Sequence, residues 1–356
     1  MSTRLSETHP HLLARLWLAE PDADLIAALR RTPGLAEHVP SGGGDGGDGG
    51  DGGDGGGDGV RHDLAVAWLD LVSRHVPPHE SVFVDPTAML DAPSTARFRA
   101  TLARCGWSPP PGLRVPAPDH LGVQLLALAD LGGGATAVLT DHLLVWLPIF
   151  ADALAHADIH PLYAAAARQT LDTVLSLADD LPLSTLPPST AAVLPILPPR
   201  QIFRGNDSGL GIAAGFDVET GDEDATDGAG RASDGGPDPA AGVRLRDILD
   251  ALLIPRDAGL YLTRTEIAAS ATALGLPIGM GDRRMMLRGV FEAAGRHDAV
   301  AALLDALDAR WAAAQSRHAV WAAAHPAWAI YAAAWGQRLA ATRTAVAAWR
   351  QDVGAS

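Results

Sequence analysis

Apolar residues recur every three or four positions along most of the chain, which is the period of an amphipathic α-helix. Leu143, Leu147 and Leu154, for example, fall on one face of such a helix and predict a buried stripe. The alternating pattern of a half-buried strand is confined to residues 81–84 (SVFV), and this segment is short. The sequence therefore predicts an all-α protein, with helices over 11–19, 21–31, 60–76, 96–106, 120–131, 140–156, 162–177, 243–253, 263–274, 282–294 and 299–324.

A final helix is predicted beyond His325-Pro326, a pair that should interrupt the helix before it. Trp328, Trp335 and Trp349 lie at heptad-related positions and therefore share one face of this final helix. A row of indoles can be a ligand platform. A core stripe is the stronger expectation, because large aromatic side chains dominate buried area.

Two Gly/Asp-rich segments divide the chain. Residues 41–59 (SGGGDGGDGGDGGDGGGDG) contain five Asp and no basic residue, and residues 217–240 contain eight acidic residues and Arg231. Neither segment has enough large apolar side chains to offset the entropy cost of ordering, so both are expected to be flexible. The sequence predicts a helical domain over 1–200 with a disordered insertion at 41–59, a flexible acidic linker over 201–242 and a C-terminal helical region over 243–356.

Charge and composition narrow the functional classes. The two Gly/Asp-rich segments carry 12 of the 15 net negative charges, so the rest of the chain is close to neutral and lacks the basic face of a nucleic-acid-binding protein. The single cysteine, Cys105, excludes an internal disulfide and a Cys-rich metal site. The first ten residues do not have the pattern of a secretory signal, and no membrane span is expected. These features predict a cytoplasmic protein without stable membrane association.

Patterns that carry enzyme chemistry are weak. The glycines of residues 208–215 have the wrong spacing for a dinucleotide-binding loop, and no predicted strand precedes them. His156 and His160 have a metal-like spacing, but they lack the glutamate of the zinc-hydrolase motif, so a solvated helix end is the favoured interpretation. The sequence predicts no catalytic residue, no metal and no cofactor.

Five short phrases occur in a fixed order in the N-terminal half of the chain. Together they resemble the TorD/DmsD family of molybdoenzyme maturation chaperones, which is related to NarJ, and the resemblance extends to residue 180. Where the family commonly has Glu-Pro-x-Asp-His, this chain matches the last two residues with Asp119 and His120 but has Pro116 and Ala117 in the first two places. The phrases are residues 16–25 (LWLAEPDADL), 77–85 (PPHESVFVD), 117–122 (APDHLG), 141–150 (DHLLVWLPIF) and 161–163 (PLY).

The resemblance implies an all-helical, cytoplasmic bundle of the TorD-like type that is not an enzyme. It implies that the protein binds the precursor of a molybdopterin oxidoreductase catalytic subunit, through its twin-arginine signal peptide, its apo form or both. It also implies that the protein assists cofactor insertion before export. Because the predicted linker 201–242 is long, the protein is expected to be a monomer or a domain-swapped dimer.

A twin-arginine signal presents two guanidinium groups followed by an apolar, helix-prone segment, so its receptor needs carboxylates beside a hydrophobic groove. The residues interpreted as client-binding are Glu80, Asp119, His120, Asp141, His142, Trp146, Phe150 and Tyr163. A structural interpretation stays open for several of them. Asp119 could cap a helix that starts at His120, and Trp146 and Phe150 could be core residues.

Two other classes of function stay open. The protein could be a helical hydrolase or nucleotide-binding protein whose ligand lies between the two helical regions. Arg283, Arg284 and Arg288 near a helix start would then hold phosphate, although a solvated basic face is the usual role of such a cluster. Alternatively, the protein could be a structural adaptor that dimerises through the tryptophan-bearing helix.

Overall fold

The regular structure of the described part of the protein is helical, which confirms the all-α prediction. Within it, β-type pairing is limited to one isolated bridge between His79 and His120. The computed structural model describes residues 9–41, 55–115, 117–180 and 239–354.

The N-terminal region consists of helices joined by short connections. A π-helical turn, Leu71–His75, follows α3. The chain stays helical between α6 and α8 through the 3₁₀ turn Gly132–Ala135 and the π-helical turn Leu139–Leu143. The helices are α1 (His9–Leu18), α2 (Ala23–Leu29), α3 (Gly55–Asp70), α4 (Glu80–Val84), α5 (Pro93–Arg104), α6 (Leu121–Leu131), α7 (Thr136–Val138), α8 (Leu144–His156) and α9 (Pro161–Asp179).

The C-terminal region ends in a hairpin of two long helices. Its first long helix stops at Ala324 and a 3₁₀ turn, Pro326–Trp328, leads into the second, so the predicted interruption at His325-Pro326 is confirmed. The helices are α10 (Pro239–Leu253), α11 (Pro255–Ala258), α12 (Arg264–Ala273), α13 (Arg283–Arg296), α14 (Val300–Ala324) and α15 (Ala329–Gly354).

The short strand candidate of the sequence, residues 81–84, is helical, as the all-α prediction requires. Residues 81–84 lie in the short helix α4, whose residues are all buried. A helix that is covered on every side shows no polar face, so its sequence resembles that of a buried strand. A residue distant in the sequence stabilises the helical conformation, because Asp119 accepts hydrogen bonds from the first two backbone N–H groups of α4.

The predicted flexible segments fall mostly outside the described residues. Helix α3 begins at Gly55, so the last five residues of the predicted insertion 41–59 are helical. Helix α10 begins at Pro239, four residues earlier than the sequence predicts. Residues 42–54 and 181–238, which include the glycines of 208–215, lie outside the described residues.

The C-terminal region shares the main apolar core of the N-terminal helices. This core runs through α1 to α9 and also contains Tyr261, Trp328, Tyr331 and Trp335. A second core cluster joins α10 to α15 and contains Trp311, Phe291 and Trp349. Because Trp328, Trp335 and Trp349 are all buried, their prediction as a core stripe is confirmed.

Two indoles of the C-terminal region bond to the backbone of α8, and one of them replaces a donor that a proline removes. Pro148 lies inside this helix and has no N–H, so the carbonyl oxygen of Leu144 loses its helical donor. Trp328 Nε1 donates to that oxygen at 3.0 Å, and Trp335 Nε1 donates to the carbonyl oxygen of Val145 at 2.7 Å. Trp328, in the 3₁₀ turn before the final helix, therefore supplies the donor that α8 lacks.

Two tyrosines make the same kind of contact elsewhere. The hydroxyl of Tyr331 donates to the carbonyl oxygen of Thr140, in the π-helical turn before α8, at 2.6 Å. The hydroxyl of Tyr261 donates to the carbonyl oxygen of His75, at the end of the other π-helical turn, at 2.7 Å. A π-helical turn shifts the hydrogen-bond register and can leave carbonyl groups without helical donors. Side chains of the C-terminal region supply donors at both turns.

A buried ion-pair cluster also joins the two regions. Asp152 on α8 lies 2.5 Å from Nη2 of Arg310 and 2.5 Å from Nε of Arg317, both on α14. Arg310 is also paired with Glu266 on α12. Burial by itself would raise the pKa of Asp152, but the two guanidinium groups outweigh it and hold this pKa below its usual range.

A close approach explains the glycine of the phrase 117–122. A Cβ atom at Gly122 would lie 2.9 Å from the carbonyl oxygen of Ala14 and would also collide with the side chain of Leu18. Only glycine lets α6 pack this closely on α1. From Leu121 to His156 the chain forms a continuous helical run that is long and apolar enough to cross a membrane, but 89% of its most apolar window is buried inside the protein.

Candidate functional site

Helix α4 and the start of α6 hold each other through their backbones. The backbone N–H of Glu80 donates to the carbonyl oxygen of Asp119 at 3.2 Å, and Leu121 N–H donates to the carbonyl oxygen of Pro78 at 2.8 Å. The Asp119 carboxylate accepts from the backbone N–H of Ser81 at 2.8 Å. The phrases 77–85 and 117–122 are thus one structural unit.

Asp119 does not cap the helix that follows it, so that part of the prediction is wrong. The N-cap of α6 is His120, whose Nδ1 accepts from the backbone N–H of Gly122 at 3.1 Å. Asp119 instead supplies an acceptor to the N-terminus of α4, where the donors of the first turn have no helical partner. Its side chain has no exposed surface.

Glu80 is the centre of a buried hydrogen-bond network. Its Oε2 atom accepts from Gln124 Nε2 at 2.8 Å and lies 2.8 Å from Nδ1 of His142. Since a carboxylate oxygen only accepts, Nδ1 of His142 carries the hydrogen. Gln124 in turn accepts from Trp146 Nε1 at 3.1 Å. The network ties α4, α6, the π-helical turn before α8 and α8 together.

The second nitrogen of His142 extends the network to α5. Nε2 lies 3.0 Å from the hydroxyl of Thr101, which also accepts from Arg104 Nη2 at 3.1 Å. Carboxylate, imidazole and hydroxyl follow one another as they do in a catalytic triad. Here Thr101 is buried in α5 and the Phe98 ring packs edge-on against His142, so the arrangement joins helices.

Two histidines surround the Asp119 carboxylate. Nδ1 of His79 lies 3.6 Å from Asp119 Oδ1, and the rings of His79 and His120 meet edge to face at 4.8 Å. Burial would raise the pKa of Asp119, but the neighbouring His79 and the hydrogen bond from the Ser81 N–H lower it to about 2. Burial, assisted by His79 and opposed by Asp119, lowers the pKa of His120 to about 3.

The predicted aromatic residues form the apolar floor of the network. Phe150 packs against Trp146 at 5.4 Å and against Trp17 at 5.4 Å between ring centroids. Trp17 in turn contacts Tyr163 at 6.4 Å, and the Tyr163 hydroxyl donates to the carbonyl oxygen of Leu64. Burial raises the pKa of this tyrosine. The five phrases therefore meet in one place in the fold.

The structure separates the predicted site residues by exposure. Seven of them are buried, and this agrees with the structural interpretation of Trp146 and Phe150 as core residues. Asp141 is the exception: its side chain is 45% exposed, accepts from the hydroxyl of Thr140 and lies 4.0 Å from Arg104. The buried residues are Glu80, Asp119, His120, His142, Trp146, Phe150 and Tyr163.

Several members of the network were not singled out from the sequence. Gln124 carried a usable signal, because it is a polar side chain in an otherwise apolar stretch of α6. His79 lay inside a recognised phrase. Thr101 and Arg97 carried no local signal, because only the packing of α5 brings Arg97 to Glu80 and Thr101 to His142.

The arginines of the nucleotide-binding alternative are engaged within the C-terminal region. Arg283 donates to the carbonyl oxygen of Leu262 at 3.1 Å, and its guanidinium lies over the Tyr261 ring at 3.7 Å. Arg284 pairs with Asp250, and Arg288 pairs with Glu292. These contacts do not favour a phosphate site. His156 ends α8 and His160 caps α9 through Nδ1.

The described residues thus form a helical fold in which a buried network of polar side chains, centred on Glu80, joins several helices. Residues 57–152 match the family described as nitrate reductase delta subunit. Chaperone protein TorD of three strains of Vibrio cholerae serotype O1 is 32% identical over 110 residues, which cover 26% of this chain and 49% of each relative. The chain thus spans about half the length of the curated relatives it matches.

These matches confirm the resemblance to the TorD- and NarJ-related family. The matched segment, residues 57–152, begins in α3 and ends in α8. It contains the whole Glu80 network and Asp141. Tyr163 and the C-terminal helices lie beyond it.

Proposed function

We propose that the protein is a maturation chaperone for a molybdopterin oxidoreductase. Its client is the precursor of the catalytic subunit, with its twin-arginine signal peptide, and the protein keeps this precursor competent for cofactor insertion before export. It acts in the cytoplasm and is not an enzyme. The observation that supports this proposal best is the position of the matched segment, because residues 57–152 contain every side chain of the Glu80 network.

The buried network positions the client-binding surface. Glu80, His142 and Trp146 hold α4, α6 and α8 in one arrangement, and a rigid surface binds a ligand without paying an ordering cost at the moment of binding. Asp141 lies at the edge of this arrangement with an exposed carboxylate. It is therefore placed to meet a guanidinium group of the leader from solvent.

The proposal is tested by co-expression of the tagged protein with a molybdopterin oxidoreductase precursor, followed by capture and native mass spectrometry. We expect a 1:1 complex with the leader intact. Replacing the Arg-Arg pair of the leader by Lys-Lys should weaken capture, because lysine does not reproduce the planar fork of arginine. Raising the salt concentration should also weaken capture, because exposed charges are screened.

A matched pair of variants separates binding from folding. Asp141→Asn removes an exposed carboxylate beside the network, and Asp305→Asn removes one that is 53% exposed on α14. We expect only Asp141→Asn to reduce capture, while both variants keep the melting temperature of the parent. If the protein retains neither the precursor with its leader nor the mature subunit, the chaperone proposal is refuted.

A further inference from the structure

Two buried carboxylates face the same arginine side chain. Glu80 and Asp85 lie at the start and just beyond the end of α4, and both are buried. Arg97 on α5 lies across them, with Nη2 at 3.6 Å from Glu80 Oε1 and Nη1 at 4.0 Å from Asp85 Oδ1. Both distances exceed the range of a hydrogen bond. The guanidinium therefore offsets part of the negative charge of the pair without a close bond to either group.

Each carboxylate uses one oxygen internally and directs the other toward Arg97. Oε2 of Glu80 is occupied by Gln124 and His142, and Oδ2 of Asp85 accepts from the backbone N–H and the hydroxyl of Ser94. Oε1 of Glu80 is buried and has no hydrogen-bond partner in the described part of the chain. A buried acceptor without a donor is costly. Oε1 of Glu80 can therefore accept a hydrogen bond from a further donor.

Arg97 is held only loosely beside the two carboxylates. Its side chain is 41% exposed, and its Nη2 atom is buried but makes no hydrogen bond within the described residues. The guanidinium itself stays hydrated when the side chain swings into water, so the main cost of its departure is the lost counter-charge at the two carboxylates, which an incoming guanidinium restores. Its departure would leave two buried carboxylates without their nearest counter-ion.

We propose that Oε1 of Glu80 and Oδ1 of Asp85 form a receptor for one guanidinium group of the client leader, and that Arg97 occupies this receptor until the client displaces it. The inference rests on the proposed function, since the arginine-bearing leader is the ligand. Arginine fits better than lysine because its planar fork reaches two acceptors on separate side chains. Exchange of one guanidinium for another also leaves the net charge of the site unchanged.

The internal occupant lowers the apparent affinity for the client. The receptor is open only in the fraction of molecules whose Arg97 has moved out, and the apparent dissociation constant rises by the inverse of that fraction. Removing Arg97 should therefore tighten binding of an arginine peptide. A purely structural arginine would give the opposite result, because its loss would loosen α5 and damage the surface.

The experiment measures the binding of a fluorescent synthetic peptide with Arg-Arg followed by a leucine-rich segment, by anisotropy, to the full-length protein. Arg97→Gln should tighten binding about threefold to tenfold. The control Arg99→Gln lies on the same helix, where Arg99 is 56% exposed and pairs with the exposed Asp91, and it should leave the affinity unchanged. A Lys-Lys peptide should gain nothing from Arg97→Gln.

A second variant tests the other carboxylate of the receptor. Asp85→Asn should weaken binding of the Arg-Arg peptide, and Arg97→Gln should no longer improve it in that background. Unchanged or weaker binding by Arg97→Gln would overturn the receptor. If no variant binds the peptide while the precursor is still captured, the receptor is refuted and the chaperone function stands. Loss of both binding and capture would refute both.

Discussion

The indole of Trp328 donates a hydrogen bond to the carbonyl oxygen of Leu144, the oxygen that Pro148 deprives of its helical donor. The two residues are 184 positions apart in the sequence. Because α8 carries Trp146 and Phe150, the last helices of the chain act directly on the helix that forms the floor of the candidate site.

This relationship predicts a coupling between Trp328 and Pro148. Trp328→Phe should lower the free energy of unfolding by about 2 kcal/mol or more, through the unpaired carbonyl group and lost packing. In a Pro148→Ala background, the new N–H can serve the Leu144 oxygen, so the same substitution should cost about 1 kcal/mol less. Urea unfolding of the four proteins measures the difference. Equal costs in the two backgrounds would contradict the assignment.

The Asp119 side chain should contribute to the free energy of unfolding. Asp119→Ala leaves the Ser81 N–H buried without an acceptor and should reduce the free energy of unfolding by about 2 kcal/mol. Asp141→Ala is the control, because this exposed side chain should change stability by less than about 0.5 kcal/mol. A small stability loss at Asp119, with a large loss of client capture, would instead support direct binding by this carboxylate.

The ion pairs of Asp152 should hold the C-terminal hairpin on α8. Asp152→Asn leaves Arg310 and Arg317 without their carboxylate in a largely buried place and should cost about 3–5 kcal/mol. The exposed pair Arg350–Asp305 offers a control, because Asp305→Asn should cost less than about 1 kcal/mol. Thermal unfolding of both variants checks this difference. Similar small shifts in both melting temperatures would be inconsistent with it.

Stability should fall as the solution becomes mildly acidic. Burial lowers the pKa of His120 to about 3, and burial, with Arg317 and Arg310 opposed by Asp152, lowers that of His318 to about 4. Both histidines therefore stay neutral in the folded protein while the unfolded chain takes up protons below its ordinary pKa of 6.5.

The histidine contribution is complete above pH 6.5 and is lost progressively toward pH 4, by up to about 1.4 kcal/mol per pH unit for each group. Urea unfolding at pH 7.5, 6 and 5 measures this slope. His318→Phe should flatten it, whereas replacement of the exposed His62 by Gln should not. A slope unaffected by His318→Phe would exclude His318 as its source.

The division of the chain into an N-terminal domain and a C-terminal helical region remains a prediction, and truncation tests it. A protein that ends at residue 242 lacks Tyr261, Trp328, Tyr331 and Trp335 of the main core. We expect it to unfold at lower temperature and to be restored by co-expression of residues 243–356. An unchanged melting temperature would show that the N-terminal helices are stable alone.

Much of the helical framework could be predicted from the sequence, because the period of apolar positions is a local property. The stop at His325-Pro326 follows from the missing N–H of proline, and the Trp328, Trp335 and Trp349 stripe follows from heptad spacing. The ordered phrases also predicted the resemblance to the TorD- and NarJ-related family that the matches confirm. Each of these conclusions depends on residues that are neighbours along one helix.

Only the tertiary structure decided which polar groups meet. The strand pattern of residues 81–84 became a helix because Asp119 serves its N-terminus, and the Leu144 oxygen found its donor in Trp328. The packing of α5 against α4 also places Arg97 over the two carboxylates of the proposed receptor. A buried donor or acceptor needs a hydrogen-bond partner, and helix packing determines which group becomes that partner. The local sequence around the buried group therefore does not predict it.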